Sequence, residues 1–333
     1  MQHTMSRSIG WWLIICIIMT VMMVAIGGLT RLTDSGLSIV KWAPIHGVVP
    51  PLSETEWQEE LSAYRPTPEY QKINKGMSLE EFKVIYWWEY GHRLWGRLLG
   101  FVFALPLIWF VARKQMPRPF ALQCVGIFAL GGLQAKVGWI MVQSGLVDNP
   151  DVSPYKLTLH LWIAFIILAL LTVQAARVFW PLTEKTKRSS GLLKIFAVWL
   201  FLTIGYGGVV AGMDAGLAYS SFPDFNGALL PASLSGENAS LAYLMTEPGA
   251  VQFGHRMAAY ALLLLGVAVW MRLTYPLRQL FAALLILQAG LGIITVHYGV
   301  PIWSASLHQV NAALLWMLTV AALYRSKQRD TAS

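Results

Sequence analysis

Eight long apolar segments dominate this chain and restrict what it can fold into. A helix needs about 20 residues to cross roughly 30 Å of hydrocarbon, and each segment has about this length. Because backbone polar groups in lipid must be hydrogen-bonded within their own segment, helices are favoured over open strands. The sequence therefore predicts an all-α integral membrane protein. Its eight transmembrane helices are expected at residues 9–29, 87–111, 120–142, 157–181, 192–213, 251–271, 279–298 and 306–324.

The distribution of charge predicts how these helices are oriented. Charged residues make up only 13% of the chain, and basic residues are concentrated in alternate linkers and in the C-terminal tail. Segment 213–250 contains no lysine or arginine. By the positive-inside rule, the basic linkers and both termini are cytoplasmic. The net charge of +8 then reflects membrane topology, and no clustered basic surface supports nucleic-acid binding. The basic residues are Arg113, Lys114, Arg118, Lys185, Lys187, Arg188, Lys194, Arg272, Arg278, Arg325, Lys327 and Arg329.

The first apolar segment is expected to remain in the protein as a helix. It is too long for a signal-peptide core and ends without a small-x-small cleavage pattern. No Arg- and Ser-rich presequence precedes it, so a bacterial inner membrane is favoured over a mitochondrial one. Cys16 and Cys124 both lie inside apolar segments and are expected to be small packing residues, not redox groups.

An internal repeat divides the chain into two four-helix halves, 1–190 and 191–333. Residues 27–37 align without gaps on residues 207–217, EYGHR on QFGHR, and LTLH on ASLH. Since each half has an even number of helices, the two halves have the same orientation and form a parallel repeat about an axis along the membrane normal.

Four histidines lie near the same end of the second and fourth helices of the two halves: His92, His160, His255 and His308. Histidine inside a membrane is costly unless it has a partner, so such residues are functional by default. Two imidazoles on facing helices suit the axial positions of a haem iron. A zinc or di-iron site would need further ligands close by. Hydrogen bonding between helices is the structural alternative.

The neighbours of the histidines make the two halves different. Glu89 lies one turn before His92, whereas Gln252 occupies the equivalent position in the second half. Glutamate can exchange a proton and glutamine cannot, which predicts one reactive site and one electron-carrying site. The alternative is that Glu89 only forms an i, i+4 ion pair with Arg93.

Two arginines directly follow histidines near the outer face. The guanidinium groups of Arg93 and Arg256 can each bind a haem propionate through paired hydrogen bonds. Snorkelling of these side chains towards the lipid headgroups is the alternative.

Several long motifs resemble the haem A synthase family, over nearly the whole chain. They are GGLTRLTDSGLS, KWAPIHGVVPP, EYGHRLWGRLLG, GWIMVQSGL, AGMDAGLAYSSFPDFNG and VQFGHR. The outer loops lack cysteine pairs, as in the mitochondrial and alphaproteobacterial branch of the family. Cys16 and Cys124 do not replace those cysteines.

The resemblance implies a specific activity. Family members oxidise a methyl group of haem O, through hydroxylated intermediates, to the formyl group of haem A for terminal oxidase biogenesis. It implies that His255 and His308 hold a cofactor haem b, with Arg256 beside it. His92 and His160 are then the axial ligands of the substrate haem, and Glu89 is the catalytic residue. Haem O synthase, oxidase assembly factors and further copies of this chain are partners that the resemblance allows.

Two other function classes remain open from the residues alone. A di-haem b-type electron-transfer cytochrome would need both histidine pairs but not Glu89. A transporter built from parallel repeats would use the histidines as a proton relay.

The outer segment 30–86 is expected to cover the first histidine pair with short helices. Ser53 and Ser78 begin capping boxes, and Thr67 precedes a proline suited to the first turn of a helix. The aromatic residues of this region are expected in the interfacial belt. They are Trp42, Trp57, Tyr86, Trp87 and Trp88.

Overall fold

The computed structural model describes residues 5–41, 46–180, 191–235 and 239–330, with side chains as far as residue 326. These residues form helices and loops without a β-sheet, which confirms the all-α prediction. Eight helices are long and apolar enough to cross a membrane. They are α1 (Arg7–Leu32), α4 (Leu79–Ala112), α5 (Arg118–Gln143), α6 (Pro154–Phe179), α7 (Gly191–Gly212), α9 (Pro248–Trp270), α10 (Leu277–His297) and α11 (Ile302–Asp330).

Among the described residues, three short α-helices lie between the long ones. The outer segment of the first half contains α2 (Glu54–Tyr64) and α3 (Pro68–Lys72), and α8 (Tyr243–Thr246) precedes α9. Both predicted capping boxes are present, with Ser53 and Ser78 as N-caps. Thr67 accepts a hydrogen bond from the Tyr70 backbone N–H and caps α3. The second capping box explains why α4 begins at Leu79, well before the predicted apolar segment.

The first and last helices of the two halves form the centre of the bundle. Helices α1, α6, α7 and α11 pack against one another, while α4 and α5 flank them on one side and α9 and α10 on the other. Leu13, Phe165, Phe196 and Leu315 are almost completely buried in this centre. Because lipid tails are as apolar as these side chains, close packing, not exclusion of water, holds the helices together.

An ion pair joins the two halves at the C-terminal ends of α1 and α7. Arg31 Nη2 lies 2.7 Å from Asp214 Oδ1 and donates to the carbonyl oxygen of Ala211 at 2.9 Å. Arg31 and Ala211 occupy equivalent positions in the repeat, and the same holds for Asp34 and Asp214. The ends of α1 and α7 therefore meet where the repeated motifs lie.

The outer segment folds over α4 and encloses an aromatic cluster. Trp57 and Tyr86 have only 8% and 6% of their surface exposed, and their rings pack edge to face with centroids 4.9 Å apart. The prediction of an interfacial belt position is therefore wrong for these two residues, because α2 packs on α4 and covers them. Trp87 and Trp88 are exposed as expected. Trp42 lies outside the described residues.

The side of the membrane on which the loops lie stays a prediction. Lys185, Lys187 and Arg188, which contributed to it, lie outside the described residues, as do the side chains of Lys327 and Arg329.

Candidate functional site

The structure brings the four histidines together in the predicted pairs. His92 on α4 lies within electrostatic reach of His160 on α6, and His255 on α9 within reach of His308 on α11. All four histidine residues are partly buried.

Each histidine ring packs against a glycine of a neighbouring helix. A Cβ atom added to Gly27 would lie 3.1 Å from His92 Nε2, and one added to Gly138 only 2.8 Å from His160 Cε1. In the second half, Gly207 and Gly292 approach the Cε1 atoms of His255 and His308, with corresponding distances of 3.2 and 3.1 Å. Each half of the repeat thus contains two histidine–glycine contacts. Because glycine has no side chain, each of these positions leaves space for an imidazole ring.

The histidines suit the ligation of a haem iron. The Nδ1 atoms of His160 and His255 are buried without a hydrogen-bond partner among the described residues, so neither ring is fully used by protein contacts. Among the same residues, no three His, Cys, Asp or Glu side chains form a group able to hold a metal ion. Each pair therefore offers two imidazoles, the number that a six-coordinate haem takes from a protein.

The Glu89 carboxylate is contacted by three hydrogen-bond donors. Its Oε2 atom accepts bonds from the Ser38 hydroxyl and the Ile39 backbone N–H, each at 2.8 Å. Its Oε1 atom lies 2.6 Å from Arg93 Nη2. Glu89 is only 3% exposed, so these are buried, charge-assisted contacts, which are stronger than neutral hydrogen bonds. The i, i+4 pair with Arg93 is present, but it belongs to this network and not to an exposed helix face.

Gln252 occupies the matching position with the opposite hydrogen-bond polarity. Its Nε2 atom donates to the carbonyl oxygens of Gly216 and Tyr219, at 3.1 and 2.9 Å. Its Oε1 atom accepts a bond from Arg256 Nη2 at 3.1 Å. Since Tyr219 is equivalent to Ile39 in the repeat, the same backbone segment offers an N–H to the carboxylate in one half and a carbonyl to the amide in the other.

Both arginines are held by the loops that follow α1 and α7. Arg93 Nη2 donates to the Ile39 carbonyl at 2.9 Å. Arg256 donates from Nη2 to the Tyr219 carbonyl, at 3.4 Å, and from Nη1 to the Asp224 carbonyl, and its guanidinium lies 4.3 Å from the centroid of the Phe225 ring. The buried Nε atom of Arg256 has no hydrogen-bond partner among the described residues. Neither arginine is directed away from the bundle, as snorkelling would require.

Sequence reasoning missed several members of the site. Ser38 and the Ile39 N–H come from the loop after α1, fifty residues before Glu89. Comparing the two halves could have found Ser38, because its counterpart Ala218 has no hydroxyl, just as Gln252 has no carboxylate. The glycine contacts of the histidines carried a similar signal, since Gly27 and Gly207 align in the repeat.

The chain is similar to known proteins over nearly its whole length. The COX15-CtaA family model, described as cytochrome oxidase assembly protein, matches residues 10–320. A protein of Paramagnetospirillum magneticum named Heme A synthase is 41% identical over 96% of this chain and 93% of its own length. Heme A synthases of Chelativorans sp. and Nitrosospira multiformis are 46% and 42% identical, over 91% and 95% of this chain and 87% and 92% of their own lengths.

The matched range extends from α1 to α11. The comparisons also confirm the resemblance seen in the sequence motifs. With eight apolar helices of spanning length, this multi-pass membrane protein belongs to the COX15-CtaA family of cytochrome oxidase assembly proteins.

Proposed function

We propose that the protein is an enzyme that oxidises a methyl group of haem O to the formyl group of haem A. The observation that carries this proposal is the difference between two otherwise matched sites. Glu89 is a buried carboxylate held by donors, whereas Gln252 is an amide held by acceptors. The names of the relatives support the same activity. An electron-transfer cytochrome would not need this asymmetry.

The two halves then have separate roles. Residues 1–190 bind the substrate haem O between His92 and His160, and residues 191–333 bind a cofactor haem b between His255 and His308. Haem b, when bound, supplies one-electron transfer. Arg93 and Arg256 lie beside the histidines, where their guanidinium groups can contact the haem propionates.

Glu89 acts as the proton acceptor of the reaction. Oxidation of a methyl group to a formyl group adds one oxygen atom, here taken from water, and releases four protons and four electrons. The electrons must pass to an acceptor outside this chain, and the protons must leave the site. A carboxylate oxygen can accept a proton, which an amide at the same position cannot do. Ser38 and Arg93 hold the carboxylate in place, and its position one turn before His92 keeps it on the same face of α4.

The proposed setting is the inner membrane of a bacterium, with both termini in the cytoplasm and both histidine pairs towards the periplasm. The basic residues of alternate linkers support this orientation. Haem O synthase and oxidase assembly factors are the proposed protein partners.

Replacement of Glu89 by Gln tests the activity. We expect the purified variant to keep its haem b and to accumulate haem O without haem A, because the amide cannot accept a proton. Chromatography of the extracted haems measures this. The Glu59→Gln variant changes an exposed carboxylate of α2 and serves as the control. Normal haem A formation by Glu89→Gln would contradict the proposal and leave an electron-transfer cytochrome as the better explanation.

Replacement of His92 by Ala tests whether the two histidine pairs bind different haems. We expect loss of haem O and haem A with retention of haem b. Equal loss of all haems would contradict separate sites, and a wild-type protein without a Soret band from haem-sufficient cells would contradict any haem function.

A further inference from the structure

An apolar groove lies on the flank of the bundle between α1 and α4. It has a volume of about 350 Å³, which is within the range of roughly 300–1,000 Å³ typical of small-molecule sites. Its walls are almost entirely apolar. The groove opens towards the exterior of the bundle, where Trp87 and Trp88 are exposed. The groove is lined by Ile26 of α1 and by Trp87, Trp88, Gly91, Leu94 and Trp95 of α4.

The groove adjoins the first histidine pair. Trp88 and Trp95 are four residues before and three residues after His92, so they flank it along one side of α4. Ile26 directly precedes Gly27, the glycine against which His92 packs. The groove therefore lies directly beside His92.

The equivalent space in the second half is filled by a side chain. In the repeat, Tyr206 replaces Ile26 and Gly254 replaces Gly91. A Cβ atom added to Gly254 would collide with the ring of Tyr206, whose hydroxyl donates to the carbonyl oxygen of Leu244. A Cβ atom added to Gly91 would meet no atom within 4 Å. One half thus has an open groove where the other has a tyrosine.

We propose that this groove binds the isoprenoid tail of the substrate haem, an inference that rests on the proposed function. Haem O carries a long farnesyl-derived chain, and haem b does not. A cofactor site for haem b needs no space for a tail, which agrees with the tyrosine in the second half. The substrate site needs an apolar channel open to lipid, because the tail is itself soluble in the membrane. The groove thereby selects haem O over haem b at the first site.

The test uses two substitutions that close the groove. Gly91→Leu places a side chain in its middle, and Ile26→Tyr reproduces the residue of the second half. Since a Cβ atom at Gly91 would meet no atom within 4 Å, we expect the leucine side chain to extend into the groove without moving the helices. Gly100→Leu, also on α4 and also without neighbours within 4 Å, is the matched control.

Binding is measured on the full-length protein in lipid nanodiscs, with its resident haem in place. The protein is titrated with haem O or with haem b, which lacks the tail. The change in the Soret absorption band measures binding. We expect wild type and Gly100→Leu to prefer haem O, and both groove variants to bind it about tenfold more weakly, a loss of about 1.4 kcal/mol. Binding of haem b at the first site should be the same in all variants. Retention of the resident haem shows that the variants are folded.

Two results would overturn the inference in different ways. If the groove variants keep the wild-type preference for haem O, the tail lies elsewhere and the groove is a lipid-facing surface, while the proposed function stands. If wild type binds no haem O, the proposed function fails together with the tail site.

Discussion

The Ser38 hydroxyl lies 2.8 Å from the Glu89 carboxylate and donates a hydrogen bond to it. Both residues are buried, so neither has water as an alternative partner. A loop residue of the first repeat thus fixes the one carboxylate that distinguishes the two histidine sites.

Removal of this hydroxyl is expected to slow turnover without loss of haem. A hydrogen bond to a charged group contributes about 1.5–3 kcal/mol, so Ser38→Ala should lower the rate of haem A formation by roughly tenfold to a hundredfold. Ser38→Thr, which keeps a hydroxyl, should recover part of the rate. The counterpart Ala218→Ser, at an exposed position of the second half, is the control. An unchanged rate in Ser38→Ala would show that Arg93 and the Ile39 N–H hold Glu89 sufficiently well.

The helices and their caps could be predicted from the sequence because they depend on local patterns. Apolar length located every span, and the Ser53 and Ser78 capping boxes form as expected. The partners of Glu89 could not be predicted in this way, since Ser38 reaches it only after the outer loop folds back on α4. The burial of Trp57 has the same cause, because its environment is created by a helix distant in sequence.

The matched histidines were visible in the sequence, but the contact between Gly138 and His160 was not. Small residues are ordinary in membrane helices, so Gly138 resembles Gly131 until neighbouring helices are in place. In the structure Gly138 approaches His160, whereas Gly131 has no neighbour within 4 Å.

This difference between two glycines of α5 leads to a prediction. Gly138→Ala should displace the His160 ring, because the new Cβ would lie 2.8 Å from its Cε1 atom. We expect loss of most haem O and haem A with normal haem b, measured by chromatography of the extracted haems. Gly131→Ala should leave all haems unchanged, since alanine favours a helix over glycine by about 1 kcal/mol and meets no obstacle. Normal haem O content in Gly138→Ala would mean that His160 tolerates displacement.

A carboxylate at position 252 is expected to destabilise the second half. In Gln252→Glu, one oxygen keeps the bond from Arg256, but the other faces the carbonyls of Gly216 and Tyr219 where the amide once donated. A buried polar group left without its partner costs roughly 1–3 kcal/mol, and a charged group costs more. Thermal unfolding in detergent should show lower stability and earlier release of haem b. Gln58→Glu, on the exposed face of α2, controls for the added charge. Equal stability of both variants would contradict the assigned hydrogen-bond polarity.

Glu69 in the outer segment predicts a dependence of stability on pH. It is 4% exposed, and burial raises its pKa from 4.5 to about 7, although a hydrogen bond from the Tyr64 hydroxyl lowers the pKa in part. The other groups that raise it are Glu89, Asp34 and Asp151. The unfolded chain loses the proton near its ordinary pKa and the folded protein only near 7. Protonated Glu69 therefore favours the folded state at low pH, and this contribution is lost as the pH rises from about 4.5 through 7.

Hydrogen exchange of residues 54–72 at pH 5.5 and pH 8, corrected for the intrinsic effect of pH on exchange, measures this effect. In wild type we expect weaker protection at pH 8, by on the order of 2 kcal/mol, because a shift of one pKa unit corresponds to about 1.4 kcal/mol and only part of the shift lies between these two values. Glu69→Gln cannot ionise but can still accept the bond from Tyr64, so its protection should be nearly the same at both pH values. Glu59→Gln, which changes an exposed carboxylate of α2, should behave like wild type. If Glu69→Gln loses protection with pH as wild type does, another group controls the stability of this segment.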